Sequence, residues 1–194
     1  MTAVFGCSDE RAATVAELID LSPEEHRRIL FEEMLEGRLL YVKKEQFQSV
    51  ASGGLPQQFV TETWFGVGPD GKFNSAVSTL WLEEEAETTD MLLVYQGQSI
   101  EDWLTYSWQM ADYAERSGAE YKGRGKLHHW DSLIYEWQRD SNVQRLEIVE
   151  NAPLIARESE YAINQQGELS LTESNTVLEY QLLPAGSTAP QVDY

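Results

Sequence analysis

The sequence has almost no cysteine, little positive charge and no long apolar run, and each scarcity removes a class of function. Cys7 is the single cysteine in 194 residues, which excludes an internal disulfide and a cysteine-rich zinc site. Lys and Arg number 14 against 33 Asp and Glu, for a formal net charge of -19. Such a surface repels phosphate, so no nucleic-acid partner is expected, nor polybasic docking on anionic lipid. No stretch approaches the roughly 18–20 apolar residues of a membrane span. No basic n-region followed by an apolar h-region opens the chain, so no secretory signal is expected.

What is present is a globular composition, 42% hydrophobic and 11% aromatic, in a chain long enough to bury about 70% of its unfolded surface. Residues 1–21 read as an N-terminal extension with a short helix over Ala12–Leu21, 22–183 as one domain, and 184–194 as a polar tail. Ser22-Pro23-Glu24-Glu25 is a helix start, with a capping serine, proline at the first helical position and a glutamate completing a capping box. Ile29, Leu30, Met34 and Leu35 form its apolar stripe and Gly37 its stop. Strands are expected over Leu39–Val50, Gln58–Val67 and Phe73–Leu82, the last two joined by a turn at Gly68–Lys72, with a break at Ser52–Pro56. An acidic loop over Glu83–Asp90 and a short buried strand over Met91–Tyr95 follow. A second helix over 99–117 carries Ile100, Trp103, Leu104, Trp108, Ala111 and Ala114 on one face. Further strands are expected over Leu127–Arg139, Val143–Glu150, Leu154–Asn164, Glu168–Thr172 and Thr176–Leu183, with a break at Asn151-Ala152-Pro153. Eight or nine strands joined by tight turns describe an α+β protein with an antiparallel sheet, and the lack of βαβ alternation argues against a nucleotide-binding α/β fold.

No catalytic set assembles, and no enzyme, metal or cofactor is expected. His128 and His129, adjacent on an expected strand, point to opposite faces and do not share a metal. Nothing near His26 supports catalysis by the first helix, and Cys7 has no fixed histidine beside it. Gly66-Val67-Gly68 leads to a turn rather than a helix. Gly123-Arg124-Gly125-Lys126 is basic but carries no Ser or Thr for a magnesium ion. Glu83-Glu84-Glu85 with Glu87 and Asp90 lacks the ordered alternation of a calcium loop and reads as solvated.

The unusual feature is aromatic. Trp64, Trp81, Trp103, Trp108, Trp130 and Trp137 fall on elements expected to face one another. They read either as an ordinary core, since tryptophan buries much area, or as the lining of a cavity for an apolar ligand. Leu92 and Leu104 join them as candidate ligand-binding residues. Gly6-Cys7, with Val4 three positions before the cysteine, has the form of a trimmed lipobox, from which Phe5 departs. Cys7 is thus a candidate lipidation site, with a frayed terminus as the alternative. The expected location is the cell envelope if the chain is trimmed, and the cytoplasm otherwise.

The order of elements, with Gly37-Arg-Leu-Leu-Tyr-Val42, Thr61-Glu-Thr-Trp-Phe65, Pro69-Asp-Gly-Lys72, Tyr135-Glu-Trp-Gln138, Ala152-Pro-Leu154, Arg157-Glu-Ser-Glu-Tyr161, Gln166-Gly167 and Val177-Leu-Glu-Tyr180, resembles the LolA/LolB-like lipoprotein-carrier superfamily. That superfamily includes LppX-type lipoproteins and RseB-type sensors, and the likeness covers residues 23–183. The resemblance implies a strongly curved antiparallel sheet, an open half-barrel, with a leading helix and a mid-chain helix covering its concave face. It also implies non-enzymatic binding of a hydrophobic small molecule or lipid, such as an acyl chain or lipid anchor, in that cavity. Two alternatives remain open, an interaction module of sensor type that meets a partner protein through its rim or a sheet edge, and a lipocalin-like barrel for a pigment.

Overall fold

The computed structural model describes residues 22–49, 55–82, 85–103, 109–128, 130–150 and 154–192. Cys7, the helix over Ala12–Leu21, Leu104, Trp108, His129 and the breaks at 52–54 and 151–153 lie outside them.

Helix α1 spans Pro23–Leu35. The Glu25 N–H donates to Ser22 Oγ at 3.4 Å and the Ser22 N–H donates to Glu25 Oε2 at 3.2 Å, so the capping box forms as its residues dictate. The helix ends as Gly37 takes φ 92° and the Gly37 and Arg38 N–H groups donate back to Met34 and Glu33 carbonyls, a Schellman closure. His26, Leu30 and Met34, each four residues apart, are fully buried. Truncating Leu30 to alanine would cost about 2–5 kcal/mol.

Nine strands make one antiparallel sheet: β1 Leu40–Gln48, β2 Gln57–Val67, β3 Phe73–Leu82, β4 Glu85–Asp90, β5 Glu120–Leu127, β6 Trp130–Arg139, β7 Asn142–Val149, β8 Ile155–Ile163 and β9 Leu169–Leu182. Their order is β4-β3-β2-β1-β9-β8-β7-β6-β5, so two meanders meet where the first strand pairs with the last, and β4 and β5 are edges that do not close on each other. In the β2–β3 turn Gly71 sits at φ 73° and the Lys72 N–H donates to Asp70 Oδ1 at 3.2 Å. A side chain at Gly71 would also crowd Phe31, whose Cε2 lies 3.3 Å from where a Cβ would stand.

Five expectations need correction. The acidic segment contains strand β4 rather than a loop. As an edge strand with polar residues on both faces, it shows no alternation to read. Met91–Tyr95 is not a buried strand. Leu92–Tyr95 forms a single helical turn, α2, because Asp90 Oδ1 accepts the Leu92 N–H at 2.8 Å, and Leu93 and Val94 are exposed. His128 does not sit within a strand, since it occupies the β5–β6 turn at φ 54°. Residues 168–183 hold one 14-residue strand, not two. Polar Glu173–Asn175 survive mid-strand because β9 is paired to β1 on one side and β8 on the other. In the expected mid-chain helix, a helical turn at 100–103 is present and α3, Met110–Arg116, starts afresh after its cap Gln109.

The core has two parts. The larger joins Leu30 and Met34 of α1 to Leu40, Val42, Phe65, Phe73, Ala76, Trp130, Val177, Tyr180 and Leu182. The smaller joins Met110 and Ala114 of α3 to Tyr135, Leu146 and Ile148.

Candidate functional site

Alternation in β6 places Tyr135 and Trp137 on one face, and each ends in a polar atom that reaches α3. Tyr135 Oη donates to Glu115 Oε1 at 3.2 Å, and Trp137 Nε1 donates to Ser117 Oγ at 2.9 Å. Burial first, and then this bond to Glu115, pushes the Tyr135 phenol up. Met110 and Ala114, one helical turn apart, are the buried underside of α3. The helix is thus pinned at its C-terminal end and packed along its middle.

Beside it lies a cavity of about 460 Å³, within the roughly 300–1,000 Å³ range of small-molecule sites. Met110, Tyr113, Trp137 and Leu146 form its apolar wall, and its polar side carries the carboxylates of Glu158, Glu160 and Glu173 with Arg139, Arg145, Gln144 and Asn175. The register explains the grouping, because Leu146 pairs with Glu158 and Glu158 with Asn175, and directly paired residues share a face. Glu160 accepts a bond from Asn142 Nδ2 at 2.6 Å. Arg145 lies 5.2 Å over the Tyr161 ring and bonds Glu136 at 2.7 Å. Among the described residues Asn175 Oδ1 is buried without a partner. Burial lowers the Lys44 ammonium, and Glu158 partly restores it.

The candidate residues fall into three places. Leu92, Trp103 and Trp130 belong to or pack against the larger core, Trp130 almost fully buried and Trp103 at 6.1 Å from Phe65. Trp64 lies 5.3 Å from Tyr41, on the sheet face opposite Phe65. Trp81 shares that face, is 40% exposed and donates from Nε1 to Glu62 at 2.8 Å. Of the described tryptophans Trp137 alone lines the cavity. His128 is exposed and stacks edge-on to Trp130 at 6.2 Å. The remaining cavity residues come from α3 and strands β6 to β9 and form no motif. The one signal that points to them is Glu158 and Glu160 at alternate positions, which puts two carboxylates on one face of β8.

No protein-family model matches the chain, and no curated protein matches it. Among the described residues no group of three or more His, Cys, Asp or Glu could hold a metal ion, and no helix is long and apolar enough to cross a membrane.

Proposed function

We propose that the protein is a non-enzymatic binder of a hydrophobic ligand, an acyl chain or similar apolar chain, held in the cleft between α3 and strands β6–β9. The observation that carries this reading is the open cavity with Met110, Tyr113, Trp137 and Leu146 on one wall. In this reading the unclosed sheet curves into a half-barrel of the LolA-like kind, and α1 and α3 cover its concave side. The register supports that arrangement. Val177, which packs with α1, and Leu146, which packs with α3, fall on the same sheet face through Asn175 and Glu158. Each buried methylene contributes about 0.8 kcal/mol, so ten supply the ~8 kcal/mol of a micromolar complex before ordering costs.

Glu158, Glu160 and Glu173 outnumber Arg139 and Arg145 in the lining, so a ligand carboxylate would meet net like charge there. A polarity-sensitive apolar dye should bind and be displaced more effectively by a medium-chain alcohol than by the acid of the same length. Tyr113→Ala should weaken the dye, because Tyr113 is exposed and carries little of the fold. Absence of dye binding, or binding indifferent to Tyr113→Ala, overturns the reading. The sensor-type alternative is favoured by a different observation, the two unpaired sheet edges.

A further inference from the structure

The two edges of the sheet carry opposite charge in matching geometry. Edge strand β4 reads Glu85-Ala-Glu-Thr-Thr-Asp90, and edge strand β5 reads Glu120-Tyr-Lys-Gly-Arg-Gly-Lys-Leu127, the densest run of positive charge in a chain of net charge -19. Glu85 pairs with Leu82 and Glu87 with Leu80, and the face continues from Leu80 through Thr61 and Lys44 to Val177. On the other meander Arg124 pairs with Leu133, and Leu133 with Ile148. Leu146 lies on that same face and leads through Glu158 to Asn175 and Val177. Glu85 and Glu87 share one face of β4, Arg124 and Lys126 share one face of β5, and each pair sits at i, i+2. Every neighbouring pair among the nine strands is antiparallel, so the first and last strands in the order, β4 and β5, run in the same direction.

We propose that β5 of one molecule takes up β4 of a second copy as a parallel tenth strand, with Glu85 beside Arg124 and Glu87 beside Lys126. This inference does not rest on the cleft. Edge strands present unpaired backbone donors and acceptors, and charge protects them only when like meets like. Here the two edges attract. Glu85, Glu87 and Lys126 make no ion pair among the described residues. Arg124 contacts Glu150, but its side chain is 69% exposed, and such surface pairs exchange readily. The register shift in β5 lies between Tyr121 and Gly123, which leaves Gly123–Leu127 regular for five residues against the six of β4. Gly123 and Gly125 add no side chain to the approach. Because the joined surfaces differ, the contact is head-to-tail and propagates into rings or open chains.

Charge reversal in the full chain tests this by sedimentation velocity over a concentration series. Wild type should self-associate. Arg124→Glu with Lys126→Glu, or Glu85→Lys with Glu87→Lys, should each weaken association by about tenfold or more, since directly opposed charges couple across strands. Mixing the two variants should restore assembly, because the reversed β5 of one matches the reversed β4 of the other. A wild type that stays monomeric, reversals that leave association unchanged, or a mixture that stays monomeric overturns the proposal. Circular dichroism of each variant confirms that the sheet is intact.

Discussion

Arg157 and Glu147 stand opposite each other on β8 and β7 and form an ion pair in which the carboxylate side chain is only 4% exposed while the guanidinium is 32% exposed. Both Arg157 Nε and Nη2 donate to Glu147 Oε1. The pair belongs to a row of buried polar groups that includes Thr176, which pairs with Arg157. On this part of the sheet the face is closed by long polar side chains.

Removing one partner of a nearly buried pair leaves an uncompensated charge, which costs about 3–5 kcal/mol when burial is complete. With the guanidinium partly hydrated, Arg157→Met should lower unfolding stability in urea by about 2 kcal/mol, less than that full penalty. Arg28→Met, in an exposed pair with Glu32, should change it by less than about 0.5 kcal/mol. Equal effects of the two substitutions would show that Glu147 is hydrated in solution.

The parts of the fold that were legible in the sequence are those where a local rule decides the outcome. Ser22 to Glu25 starts a helix because the cap and its reciprocal bond are within three residues. Gly68–Lys72, Asp140–Asn142 and Gln165–Gly167 turn the chain because their backbone demands are local. Residues 91–95 were not legible, since an apolar run that short fits a strand or a helical turn, and Asp90 decides between them by one bond. Strand β5 was hidden by its glycines: Gly125 sits against Ile134, and Gly123 takes φ 113° beside the register shift. The cleft was harder still. Trp137 was among the candidates, but Glu158, Glu173 and Asn175 become neighbours only once the register of β8 on β9 is known.

Glu62 gives a pH dependence with a definite sign. Burial raises its pKa, but bonds donated by Tyr41, Trp81 and Lys43 outweigh burial, and the net result lies below the ordinary 4.5. A depressed folded-state pKa contributes stability that is fully present above the unfolded value and is lost as pH falls through the folded value. Wild type should therefore lose thermal stability below about pH 4.5 more steeply than Glu62→Gln. The wild type alone should show a change in Trp81 emission over that range. Parallel acid limbs for the two proteins would remove Glu62 from the balance.

Gly125 is required by Ile134. A Cβ at Gly125 would stand 2.7 Å from Ile134 Cδ1, well inside contact distance. Gly125→Ala should cost about 1–3 kcal/mol through overpacking. Ile134→Val removes the offending methyl, so the double variant should be more stable than Gly125→Ala alone. If Ile134→Val adds its own loss instead, the crowding is relieved by a rotamer change and the glycine serves the backbone.

Lys44 is stabilising in neither its position nor its charge state. It projects from the middle of β1 between Thr61 and Val177, and burial pulls its pKa below 10.5, with Glu158 acting in the opposite sense. The folded state holds this proton less tightly than the unfolded chain. Stability therefore rises with pH between the folded pKa and 10.5, and the penalty is largest below the folded pKa. An apolar side chain of similar length should remove it, so Lys44→Met should gain on the order of 1 kcal/mol at pH 7. That advantage should shrink as pH is raised toward about 10.5, where the unfolded lysine also loses its charge. Glu158, left without the ammonium, is exposed to water and adds little cost. Urea melts of both proteins at pH 7 and near pH 10 test the sign directly. A Lys44→Met variant less stable at pH 7 would mean that the attraction to Glu158 exceeds the cost of burial.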